Sequence, residues 1–97
     1  MILTTILTTI LKVLYIIGGV KVVNTLLNKA IEELQYLNPG EIFLVKDLFK
    51  GYIWNRIDRN VRLRLGILFL NYINSTQNVG VIALEKTSSN QQKYKKI

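Results

Sequence analysis

The sequence predicts a mostly helical α+β protein, and three observations predict it. Apolar residues recur with a helical period along most of residues 2–73. Two β-prone runs follow, separated by a polar turn. The single proline lies in Asn38-Pro39-Gly40, the strongest turn signal in the chain, and it divides an apolar N-terminal helical extension, 1–37, from a compact domain, 38–97.

The extension opens with Ile2, Leu3, Ile6, Leu7, Ile10, Leu11, Leu14 and Ile17, paired about four apart, with threonines, Lys12 and Tyr15 between them. That spacing gives an amphipathic helix with a polar threonine stripe. Residues 2–20 hold a single charge, so three readings stand: a helix packed on its own domain or on a second copy, a membrane span or interfacial anchor, or a poorly ordered start. A signal peptide fits poorly, because Lys12 lies inside the apolar run rather than before it. Gly18-Gly19 breaks the pattern, which resumes with Val23, Leu27, Ala30, Ile31, Leu34 and Leu37 on one face.

In the compact domain, residues 41–45 (EIFLV) read as a short strand. A helix is expected to start at Lys46 or Asp47, carry Leu48, Phe49, Ile53 and Trp54, and be interrupted or ended at Gly51. Asp58 then suits the N-cap of a third helix running to about Ile73. On a wheel, Val61, Leu65, Leu68, Phe69 and Tyr72 share its core face, Arg59 and Arg62 flank that face, and Arg64 lies on the far side. VGVIALEK and KYKKI, joined by TSSNQQ, complete a β-hairpin. Helix, short strand, helix, helix, strand, strand is the order of a winged helix-turn-helix, with the hairpin as its wing.

Composition narrows the chemistry. The 97 residues include no Cys and no His, which excludes disulfides, thiolate and imidazole metal sites, and Ser-His-Asp triads. The six carboxylates, Glu32, Glu33, Glu41, Asp47, Asp58 and Glu85, show neither metal-loop spacing nor an acid/base pair. A binding protein is expected rather than an enzyme, with no cofactor and a cytoplasmic location. Residues 1–45 balance three lysines against three acids, whereas residues 46–97 carry ten basic residues against three acidic ones. Such asymmetry suits a polyanionic partner, nucleic acid or an anionic membrane surface.

VKDLFKGYIWNRI, RLRLGILFLNYIN and EKTSSNQQKYKKI resemble a small bacterial family labelled as a domain of unknown function. One branch of it, carried by staphylococcal cassette chromosome elements beside replication genes, is a winged-helix single-stranded DNA-binding protein. The resemblance covers about residues 36–97 and implies a single-stranded DNA partner, with replication proteins of a mobile element as further partners. The opening stretch departs from the family pattern.

The site residues follow from the physical reading. Arg59, Arg62 and Arg64 on the third helix, with Lys86, Lys93, Lys95 and Lys96 on the wing, are the candidate phosphate contacts. Tyr94, flanked by lysines, is the first candidate to stack on a base and Tyr52 the second; Trp54 is expected in the core. Asn90, Gln91 and Gln92 can bond bases or simply turn the chain, and Arg56 has Asp58 or Glu41 as alternative partners. Two other functions remain open: a double-stranded DNA-binding regulator using the third helix, and a membrane-associated interaction module. If the N-terminal helix is soluble it must hide a broad apolar surface, and self-association through it, as a homo-oligomer, is then expected.

Overall fold

The computed structural model describes residues 21–97. The expectations for residues 2–20, an amphipathic or spanning helix ending at a diglycine, lie outside that range. Residues 21–33 are helical (α1) and run into a 3-10 turn at Leu34–Tyr36. The expected apolar face is the buried one: Val23, Ala30 and Leu34 are inaccessible, and Leu27 and Leu37 pack beside them. The helix ends where Asn38-Pro39-Gly40 begins. Glu41 N–H returns to the Asn38 carbonyl at 3.1 Å, and Gly40 takes φ +92°, a conformation open to glycine. Among the described residues no helix is long and apolar enough to cross a membrane.

The three strands are β1 (Ile42–Phe43), β2 (Val81–Lys86) and β3 (Gln92–Lys96), antiparallel in the order β1-β3-β2. Phe43, Tyr94 and Ala83 stand in register, as do Ile42, Lys95 and Ile82. Because side chains alternate across a strand, the first row faces the helices and the second faces away from them. Tyr94 is therefore core. It stacks on Phe43 at 5.7 Å and meets Phe69 edge-on at 4.9 Å, with 0% of its surface exposed. This corrects the expectation that Tyr94 stacks on a base. Its lysine neighbours mark the opposite face of β3, not the exposure of the tyrosine between them.

The segment between β1 and the long helix also differs from expectation. Val45–Leu48 form a 3-10 turn, Phe49 and Lys50 are extended, and α2 occupies only Gly51–Arg56. The reason is local. Leu44 N–H donates to Asp47 Oδ2 at 2.8 Å, while Asp47 N–H donates to the Leu44 carbonyl at 3.0 Å, which closes a tight turn. A fresh helix then starts where Ile53 and Trp54 N–H both donate to the Lys50 carbonyl at 3.0 Å. Gly51 begins that helix rather than interrupting one.

Helix α3 spans Arg59–Ser75, with Asp58 at the N-cap position but without a side-chain cap bond. Leu65, Phe69 and Ile73 are buried, and Val61, Leu68 and Tyr72 are half-buried, so Ile73 joins the inner stripe that the wheel suggests. Ala30, Leu34, Phe43, Leu48, Phe69, Ile73, Val81 and Tyr94 make one apolar cluster. This core draws on residues from both sides of position 37.

Candidate nucleic-acid interface

The N-terminal half of α3 does more than close the core. Its positions 59, 62, 63, 66, 67 and 70 share a second stripe, turned away from Leu65 and Phe69, and this stripe forms one wall of a groove of about 380 Å³. Two of its residues are large and exposed, Leu63 at 57% and Ile67 at 62%. Leu44–Lys46 and Trp54 line the groove from the turn and α2, and Lys86 and Asn90–Gln92 line it from the hairpin. Lys46, Arg59, Arg62 and Lys86 bring four positive charges to it, and no carboxylate is among its lining residues.

Arg62 is held in place. Its Nη2 donates to the Trp54 carbonyl at 2.8 Å, and its guanidinium lies 5.3 Å from the centre of the Trp54 ring, in cation–π range. Trp54 in turn leans on Phe49 at 5.7 Å. Half-buried rather than core, Trp54 thus links the turn, α2 and α3, and it is the chain's single tryptophan.

The hairpin tip is shaped by its own polar atoms. Thr87 N–H donates to the Gln91 carbonyl at 2.7 Å, Asn90 N–H to the Thr87 carbonyl at 2.9 Å, and Gln91 N–H to Thr87 Oγ1 at 3.1 Å. Asn90 sits at φ +66°, a left-handed conformation that asparagine tolerates better than most residues. Below the tip the β2–β3 register slips between Ala83 and Lys86, and Gln92 Nε2 donates to the Leu84 and Lys93 carbonyls there. Gln92 is therefore a structural clamp. Asn90 and Gln91 carry the side-chain amides left for a ligand.

The structure gathers some of the sequence candidates and disperses others. Arg59, Arg62 and Lys86 line the groove. Arg64 is exposed on another face of α3, since two residues along a helix turn a side chain through about 200° from Arg62. Lys93 and Lys95 share the sheet face that turns away from the helices. There Lys93 Nζ donates to Glu85 Oε1 at 3.1 Å, and this hydrogen bond holds the Glu85 carboxyl below its usual range. Lys96 pairs with Val81 at the base of the hairpin, the end opposite the tip. Tyr52 is 55% exposed with the Arg56 guanidinium 5.2 Å from its ring centre, and it does not line the groove. Arg56 thus finds an aromatic face, and neither Asp58 nor Glu41 pairs with it among the described ion pairs.

Nothing in the sequence marks Lys46 as part of the site, and the apolar neighbours of Trp54 favour the core for it. The basic, amide-rich hairpin was the available signal, but residues 46, 54, 62, 86 and 91 meet only in three dimensions.

A comparison with protein families matches residues 28–96 to the family described as Domain of unknown function (DUF1413). No curated protein and no solved structure matches the chain.

Proposed function

The chain belongs to the Domain of unknown function (DUF1413) family, and we propose that it is a sequence-tolerant single-stranded DNA-binding protein. The element order and the β1-β3-β2 sheet support a winged-helix reading, with α3 as the third helix and the β2–β3 hairpin as the wing. One observation carries the functional reading: the groove between α3 and the wing combines four cations, no carboxylate and an apolar wall containing Trp54, Leu63 and Ile67. Cations track a phosphate backbone, and apolar and aromatic walls take the faces of unpaired bases. Duplex DNA hides those faces inside its stack, so the same walls would meet nothing. The proposed setting, following the resemblance to the cassette-chromosome branch, is replication or maintenance of a mobile genetic element in the bacterial cytoplasm.

The test is a titration with single-stranded and duplex oligonucleotides at two salt concentrations. Single strands are expected to bind more tightly, with affinity falling steeply as salt rises. Replacing Lys46, Arg59 and Lys86 together with Ala should flatten the slope of log K against log salt by about 2, because each phosphate contact on a single strand contributes about 0.7. Replacing Lys93 and Lys95 should change it far less. Tighter binding to the duplex overturns this reading.

A further inference from the structure

The groove does not end at Trp54. Beyond it lies an open recess of about 530 Å³, and Lys46, Trp54, Arg62 and Gln91 line both spaces. The recess adds walls of its own, Asp47, Phe49, Gly51 and Asn55. Gly51 leaves one side open, since even a Cβ built there meets nothing within 4 Å. Asp47, Asn55 and Gln91 are all exposed, so a ligand can reach them.

The two spaces differ in charge. Asp47 is the one carboxylate among the described residues that line either of them. Its side chain is fixed from within the turn, because Oδ2 accepts the Leu44 N–H at 2.8 Å, which leaves Oδ1 for a ligand. A carboxylate repels a phosphate, and it can only accept hydrogen bonds. The recess therefore suits a neutral group that donates, while Lys46, Arg59 and Lys86 of the groove suit the backbone. Asn55 and Gln91 add side-chain amides, each able to donate as well as accept. A fixed acceptor beside amide donors matches an amine next to a ring nitrogen, the edge that unpaired cytosine and adenine present. Thymine has no amine, and its single ring N–H lies between two carbonyl oxygens that a carboxylate repels.

We propose that the recess beside Asp47 selects an amino-bearing base of the bound strand. Asp47 Oδ1 accepts from the exocyclic amine, and the Asn55 amide donates to the neighbouring ring nitrogen. The inference rests on the single-stranded DNA reading and adds a base preference to it. Phosphates follow the cations of the groove on any sequence, and the strand gains where an amino-bearing base falls at the recess.

The experiment titrates the full chain with oligodeoxycytidylate and with oligodeoxyuridylate of equal length at neutral pH. These strands share backbone and ring size and differ on the base edge, an amine in one and a carbonyl in the other. The cytidylate strand is expected to bind roughly 5-fold or more tightly, the lower end of what one specific base contact supplies. Two variants test the geometry. In Asp47→Asn the side-chain oxygen still accepts the Leu44 N–H, so the turn is kept, while an amide donor replaces the free acceptor. Losing the negative charge strengthens binding of both strands alike, so the ratio of the two affinities isolates the base contact, and it should fall to one or below. Asn55→Ala, at an exposed position and without a change of charge, should lower the ratio as well. Circular dichroism verifies the fold of both variants. Equal binding of the two strands by the unaltered protein, or a ratio that both variants leave unchanged, overturns the base preference and leaves the single-stranded DNA reading standing. Binding of neither strand overturns both.

Discussion

At the scale of single residues, Tyr94 shows how one side chain sets a pH limit. Burial in the aromatic cluster pushes its hydroxyl up to about 12 from 10.0. The native state therefore holds this proton more tightly than the unfolded chain does. Tyr94 contributes its full stabilisation below pH 10, and that contribution is lost as the pH rises towards 12. The difference amounts to about 2 to 3 kcal/mol across the window. Urea unfolding at stepped pH should show this decline, and Tyr94→Phe should remove the tyrosine's share of it. Asn90 predicts something different. At φ +66° a β-branched side chain is strained, so Asn90→Val should lower stability by about 1 to 2 kcal/mol, whereas Asn90→Gly should be close to neutral. Gly66 lies inside α3 with room around it, and Gly66→Ala should raise stability by about 0.5 to 1 kcal/mol through helix propensity, visible as a higher Tm.

At the scale of elements, the hairpin depends on one amide. The register slip between Ala83 and Lys86 disturbs the ladder, and Gln92 Nε2 answers the Leu84 carbonyl there. Gln92→Leu would leave that carbonyl without its partner, at a cost of about 1 to 3 kcal/mol, and amide exchange in β2 and β3 should quicken before exchange in α3 does. The elements also show what could be read from sequence. The periods of α1, α3 and the two hairpin strands place these elements within two residues or so, because a buried stripe writes its spacing directly into the chain. The break at Leu44–Asp47 was not legible, since a pair of hydrogen bonds between near neighbours leaves no periodic trace. Tyr94 was legible in principle. Alternation along QKYKK puts it opposite Lys93 and Lys95, and only the charge of those neighbours suggests exposure. The groove could not be read at all, because its walls come from segments up to 50 positions apart, Leu44 to Tyr94.

At the scale of the whole molecule, charge is distributed unequally over faces as well as along the chain. Lys93 and Lys95 turn to the outer sheet face, with Lys93 paired to Glu85, while Lys46, Arg59, Arg62 and Lys86 converge on the groove. Anion binding at the groove should therefore survive a Lys93→Glu charge reversal better than an Arg59→Glu reversal, a contrast that electrophoretic mobility of a labelled single strand would register directly. The sheet order adds a constraint on biosynthesis. β3 comes latest in chain order among the described strands, yet it lies between the other two and brings Tyr94 between Phe43 and Phe69. A nascent chain translated only through β2 has no central strand to join its edges, and its aromatic residues face solvent. At about 5 to 20 residues per second the interval is short. Through that interval Phe43 and Phe69 lack the ring that joins them, and closure of the aromatic cluster waits on the strand that carries Tyr94.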